Sequence, residues 1–592
     1  MHTTRLALAL SAALPLALLA AARPRPPLQA PGDVEHAALA PARALAYVEF
    51  EDADGLLARG LGHPLLRTLL GGEVGEALAA QAGRTPEQAL AGLDERAGYA
   101  VLPALRELTA RGAALSIELR RARPSVLLTL RGEDAATVEA RLAQALERAA
   151  ELAGFPGALA APAETRGDTA LWRIGDDLVI AHSGAWVLVS SDEAAVTAAL
   201  ERARGAEGLA GTEDFASARA ARPDGATLWG WVDLERARAL QRLGDGDRGL
   251  LELAEAAAQP PVQFLVGPTL ALIGSARHAS LALRVRGEDV ELAAEGFGVA
   301  AGAARELLPR GGALAAGLEP DDVLHGAVYR DLRGLFSARG ELFGPRAQPG
   351  FAEAESNLAL FFGGRDVAEH VLPHLSPWVE VVAREVDFRD DARPDAALPA
   401  AALLVRVDDP ATTGADLVAA FQTAISIVNV DRAQKAMPSM RLELAPLADT
   451  TITSARFAPP APGTGVDLRY NLEPACALVG DTFVVGTHRA LVAELVGERR
   501  GAPAPGAAAG TAEHLRLSGA ALAELARAQR ELLVMGRVLN EGRTREVAER
   551  EVDLGLGLLE RLEGLELATE RRGEDTLAAS LRLDLRGRGT AK

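Results

Sequence analysis

Apolar and polar positions alternate along this chain in short bursts, broken by turns and by amphipathic stretches with helical spacing. The pattern is clearest in GDTALWRIGDDLVIAHSGAWVLVSSDEAAVTAALE. Strands at about 168–174, 177–182 and 184–190 are separated there by GDD and SG turns, and a helix is predicted to start near Asp192. After VLLTL, apolar residues at Val138, Leu142, Ala145 and Leu146 form a helical stripe, with Asp134 at the N-cap position. Hairpins recur near 277–298. Strand pairs mixed with helices, and no strict β-α-β alternation, predict an α+β fold with mainly antiparallel sheets and helices packed on one face.

The pattern is also doubled. RGED occurs at Arg131–Asp134, Arg286–Asp289 and Arg572–Asp575, and the last two copies lie 286 positions apart in a chain of 592 residues. Four further segment pairs keep the same order: GLLARG with GLFSARG, VLPAL with VLPHL, LLTLRGEDAAT with LLVRVDDPATT, and VLVSSDEAAVTAAL with FVVGTHRALVAEL. Their offsets are 279, 270, 276 and 296, a drift that loop insertions accommodate. The two later RGED copies read as hairpin turns, because glycine and two acidic residues sit between alternating strands. The strands that follow are out of step by one residue, with Val290 and Leu292 set against Leu577 and Leu581. The expected layout is a signal peptide at 1–22, a linker at 23–40, a first lobe at 41–305, a linker at 306–319 and a related second lobe at 320–592. A flexible insertion is expected at 499–513.

Composition narrows the function classes. The chain carries 81 acidic against 62 basic residues, a formal charge of -19, so its net field repels a nucleic-acid backbone. Its first residues have Arg5 ahead of an apolar run from Leu6 to Ala22, with Ala20 and Ala22 offering a cleavage site before Arg23. This is an export signal, and a retained membrane anchor is the alternative. Cys476 is the only cysteine, so no intramolecular disulfide can form, and the lobes must rely on core burial. Aromatic residues make up 4% of the chain, which casts Trp229 and Trp231, two apart on one strand face, as core.

LAPARALAYVEFEDADGLLARGLGHPLLRTLL and GGRDVAEHVLPHLSPW, the latter with Gly364, Asp366, Leu372, Pro373 and Leu375, resemble a family of exported bacterial proteins that carries a domain of unknown function. The resemblance covers most of the chain after the signal. It implies an exported compartment and a repeated α+β layout, and it brings no catalytic residues with it.

Candidate chemistry is sparse. His370 and His374 are four apart, with Asp366, Glu369 and Glu380 nearby, a spacing that on one helix places two imidazoles for a metal. The position that would hold a general base is Val371, and Pro373 interrupts the helix, so surface or capping histidines are the plainer reading. The sequence holds no G-x-S-x-G elbow, no S-x-x-K and no phosphate loop. Cys476 reads as a buried thiol, Arg166–Asp168 as a turn, and acidic pairs such as Asp321-Asp322 and Asp408-Asp409 as turns or caps. These features predict an exported, non-catalytic binding or scaffolding protein of the periplasm or cell envelope, with no cofactor and an unidentified envelope partner or ligand. An exported metal-assisted hydrolase using His370 and His374 is the alternative.

Overall fold

The computed structural model describes residues 31–50, 101–120, 123–152, 154–175, 178–243, 276–287, 289–299, 302, 322–342, 348–388, 393–457, 469–500 and 513–585. The export signal, the joint at 306–319 and nearly all of the insertion at 499–513 lie outside the described residues, as does the GLLARG segment. The chain divides into two compact units, Met1–Gly244 with Arg277–Ala294, and Asp245–Ala276 with Glu295–Lys592.

In the first unit the strands are β1 (Ala46–Phe50), β2 (Ala113–Arg120), β3 (Arg123–Arg131), β4 (Glu164–Arg166), β5 (Thr169–Ile174), β6 (Leu178–Ser183), β7 (Trp186–Ser190), β8 (Leu228–Asp233) and β9 (His278–Arg286). The strand β10 (Asp289–Phe297) returns along β9. Antiparallel pairing orders β1 to β9 as β4-β5-β6-β7-β3-β2-β1-β8-β9. In the second unit β11 (Asp322–Tyr329), β12 (Leu375–Arg384), β13 (Ala400–Val407), β14 (Met440–Leu447), β15 (Thr450–Phe457), β16 (Ala475–Val479), β17 (Thr482–Gly486), β18 (Glu513–Ser518), β19 (Leu562–Arg571) and β20 (Leu577–Leu585) are ordered β14-β15-β16-β17-β13-β12-β11-β18-β19-β20. The fold is therefore α+β with antiparallel sheet, and the two pairing orders run in parallel, strand for strand.

Registers agree as well as order. Val48 faces Leu115 and Gly230, as Gly326 faces Val381 and Leu515. Leu115 leads through Leu128 to Val189, and Val381 leads through Leu403 to Val485. Six residues beyond Leu128 and Leu403, Asp134 and Asp409 accept hydrogen bonds from the Thr137 and Thr412 amides at 2.9 and 3.1 Å, capping the next helical segment. Three residues beyond Val189 and Val485, Asp192 and His488 cap the helices Glu193–Arg202 and Arg489–Arg499. The register sets Leu128, not Leu127, against Leu403, so the sequence pairing of those segments is shifted by one.

Both later RGED copies are hairpin turns with a left-handed glycine, Gly287 at φ 62° and Gly573 at φ 79°. Two positions separate β9 from β10, and five separate β19 from β20. That difference in turn length accounts for the strands being out of step. Residues 31–40, expected as part of a linker, include a short helix, His36–Leu39, whose Ala37 and Leu39 are buried.

The expectation of helices on one face is corrected. In the first unit Leu171, Leu188 and Leu127 pack under the helix Glu193–Arg202, while Trp172 and Val187 pack under the helix Ala135–Leu152. Leu171 and Trp172 are neighbours on β5, and neighbours on a strand point to opposite faces, so both faces of that part of the sheet are covered. The second unit repeats this: Ala475 and Ala477 pack under Arg489–Arg499, and Cys476 lies in the core that also takes Leu417, Val418 and Phe421 of the helix Ala415–Gln434. The cause is visible in WVLVS and ACALV, which are apolar at consecutive positions instead of alternating. Trp229 and Trp231 are core, as expected. Phe215 meets both edge-to-face, with ring centroids 5.4 and 5.7 Å away.

Asp134→Ala and Asp409→Ala should each lower unfolding stability by about 1 kcal/mol, the usual worth of a lost N-cap. Urea titrations of the two single variants check this, and unchanged midpoints would count against the caps being equivalent.

Candidate functional site

The most concentrated buried chemistry among the described residues starts at a bulge. Asp322 of β11 faces Arg384 of β12, but Leu324 already faces Ala383, so two steps on one strand match one step on the other. In a regular strand Asp322 and His325 would point to opposite faces. With the bulge at Val323, both share the side of Arg384, Val382 and Glu380. The helix Arg489–Arg499 covers that side and brings Glu494, Glu498 and Arg499 to it.

The groups close on one another. Arg384 donates from Nε to Asp322 at 2.9 Å and from Nη1 to Glu498 at 2.6 Å. His325 Nδ1 lies 3.3 Å from Asp322 Oδ2, and its Nε2 lies 2.9 Å from Glu380 Oε1. Arg499 donates to both oxygens of Glu380. Asp322 is 0% exposed, and Glu380 and Arg384 are each 7% exposed. Burial works against a charge on His325, but the hydrogen bonds and charges of Asp322 and Glu380 outweigh it and hold its pKa up at about 9. Burial likewise opposes the Arg384 charge, and Glu498 and Asp322 overcome it.

At neutral pH, therefore, two arginines and a protonated histidine face four carboxylates, the buried Asp322 and Glu380 and the half-exposed Glu494 and Glu498. The arrangement ties β11, β12 and the helix Arg489–Arg499 together through buried ion pairs.

The first unit has a different solution at the matching place. Tyr47 occupies the register position of His325, and its hydroxyl donates to Glu49 at 2.8 Å. Glu49, 5% exposed, also accepts from Arg219 at 2.8 Å and from Arg222, and the Arg219 guanidinium lies over the rings of Phe215 and Trp229.

The residues expected to bind a metal are placed elsewhere. His370 closes the short helix Val367–His370, and His374 ends a separate 3₁₀ turn, Leu372–His374, so no single helix carries both. Asp366 caps that helix through the Ala368 and Glu369 amides. Among the described residues no group of three or more His, Cys, Asp or Glu side chains is placed to hold a metal ion. Cys476 is fully buried, and burial pushes its thiol up to about 12. Arg166 of the RGD turn is 7% exposed and bound to Glu164 and Glu193.

Sequence reasoning placed Asp321-Asp322 at a turn or cap, whereas Asp322 is the buried centre of the cluster. The available signal was a charge inside an apolar strand, in DVLHGAVY and in WVEVVAR, but the partner of each charge lay on another element.

Comparison with known proteins yields little. No known protein family and no curated protein matches the chain. The solved structure of TP0453 in crystal form I is similar at 9% identity over 45% of this chain and 80% of that one, with a TM-score of 0.23, too low for fold or function to be carried across.

Asp322→Asn should destabilise the protein by about 1–3 kcal/mol, because it removes the fully buried carboxylate that Arg384 and His325 share while Glu498 still answers Arg384. Paired replacement of Asp322 and Arg384 by apolar residues should cost less, and denaturant unfolding separates the two. His325 has a folded pKa above its ordinary 6.5, so its contribution is full below 6.5 and disappears as pH rises through about 9. Wild-type melting temperature should fall across that window more steeply than that of His325→Gln; parallel curves would refute the assignment.

Proposed function

We propose that this is an exported, non-catalytic protein built from two related α+β lobes, which binds or scaffolds a partner in the periplasm or cell envelope. One observation supports the reading: the strands of the two units share order, register and the positions of their helix caps. Register is set hairpin by hairpin, and a one-residue slip would exchange the two faces of a strand. Descent of both lobes from one copied unit accounts for so many independent agreements. The segment pairs LLTLRGEDAAT with LLVRVDDPATT and VLVSSDEAAVTAAL with FVVGTHRALVAEL fall on matching strand-to-helix junctions. The RGED pair falls on matching hairpins.

A binding role suits a chain whose buried charges are spent on holding strands together: Asp322 and Glu380 in one unit, Glu49 in the other. Export rests on the leader, Arg5 followed by the apolar run to Ala22. Sequencing the amino terminus of protein recovered from the periplasmic fraction should return Arg23 as the first residue. An intact terminus in the membrane fraction would favour the retained anchor. Metal analysis of purified protein should find no stoichiometric zinc; zinc that is present and lost in His370→Ser/His374→Ser would replace this reading with the hydrolase.

A further inference from the structure

Residues 31–40 lie ahead of β1 and are fastened to the first unit mainly through their own backbone. Trp186 Nε1 donates to the Gly32 carbonyl at 3.0 Å, and Arg131 donates to the Val34 carbonyl at 3.3 Å. Arg202 donates to the Leu39 carbonyl from Nε and Nη2, at 2.8 and 2.6 Å, and the Leu209 amide donates to the Ala40 carbonyl at 3.0 Å. The Leu39 side chain is buried with Leu127, Leu188 and Leu200. Among the described residues no strand precedes this segment, so it can lift away without undoing a strand pair.

His36 is the residue of this segment whose charge ordinarily changes near neutrality, and it stands where a charge is poorly tolerated. Its Nδ1 lies 2.7 Å from the Thr129 hydroxyl, whose own hydrogen goes to the Ala114 carbonyl at 3.3 Å. Thr129 therefore accepts, and the neutral ring carries its proton on Nδ1. A second proton would have to go to Nε2, which is buried against Gly112 and makes no hydrogen bond. The ring meets Trp186 edge to face, with centroids 4.9 Å apart. Arg131 of β3, Arg219 of the helix Glu213–Ala220, Glu49 of β1 and the Arg111 main chain also act on it. The acids nearby are already engaged: Glu49 by Tyr47, Arg219 and Arg222, Asp33 by Arg131, and Glu35 by Arg219 at 3.5 Å. Burial pushes the His36 pKa down to about 4; the Arg111 main chain and Glu49 pull the other way, and Arg131 and Arg219 push with burial.

We propose that residues 31–40 form an acid-released clasp: a proton taken up at His36 Nε2 frees the segment from the first unit and uncovers the site that Leu39 fills beside Trp186. Once released, the ring returns to water and its ordinary pKa of 6.5, so the open form takes up the proton more readily than the docked one. Docking is therefore at full strength above 6.5 and weakens as pH falls toward about 4. Arg131 holds the Asp33 carboxyl below its ordinary range, so their ion pair persists through this window and is not the source of the change. The clasp stands independently of the export and binding role proposed above.

Hydrogen exchange on the full chain tests it, with rates converted to protection factors so that the intrinsic effect of pH drops out. The amides of Ala38 and Leu209, bonded to the Glu35 and Ala40 carbonyls, report on the clasp. From about pH 7 to about pH 5 their protection should fall about twentyfold, while that of β3 and β7 holds. His36→Gln keeps a donor toward Thr129 but cannot take up a proton, and its protection should not change over the same range. Should that variant misfold, the wild type still decides the matter, because nuclear magnetic resonance titration of the His36 ring should give a midpoint well below 6.5. Unchanged protection in the wild type, an equal loss in β3 and β7, a loss in His36→Gln as large as in the wild type, or a ring midpoint at or above 6.5 each overturns the proposal.

Discussion

Strand register is the constraint on which this structure depends. Side chains on a strand alternate between faces, so each hairpin must hold its neighbours to the residue, or apolar side chains meant for one helix would face the other side. Here the demand is doubled, because part of each sheet is covered on both faces and a slip would misplace two cores at once. Capping residues follow from the same constraint. Asp134 and Asp409, or Asp192 and His488, can start their helices in the right place only because the strands before them end in the same register.

Buried charge is the second organising feature, and it is subordinate to register. The bulge at Val323 turns Asp322 to the side of Arg384 and His325, and without it an acid would face one core while its base faced the other. Once the faces agree, the low-dielectric surroundings make every unmatched charge expensive, and each buried charge of the cluster meets an opposite one. The first unit meets the same requirement with other residues, a tyrosine and a glutamate answered by two arginines from the covering segment. Equivalent backbone positions thus carry different polar solutions, which is expected when the framework is fixed by packing and the charges need only be satisfied.

The two units differ most at their margins. The helix after β3 buries Val138, Leu142 and Leu146 and turns charged residues outward, whereas the helix after β13 leaves Ile427, Val428 and Val430 exposed beside a long edge strand. Positions far from the shared framework are free of its register, so they are where two similar units can acquire different surfaces.

Sequence alone determined the local features: the antiparallel meander of β5 to β7, the cap at Asp134, the helix start near Asp192, the turns of the later RGED copies, and the burial of Trp229 and Trp231. Each of these is set within a few residues by alternation, turn chemistry or a side chain bonding its own backbone. Tertiary structure alone decided which faces the helices cover, that Leu128 and not Leu127 answers Leu403, and that Asp322 is a buried partner of Arg384 and His325. The reason is physical. A face, a register and a charge partner are relations between segments distant in the chain, and the letters of one segment do not say which other segment will lie against it.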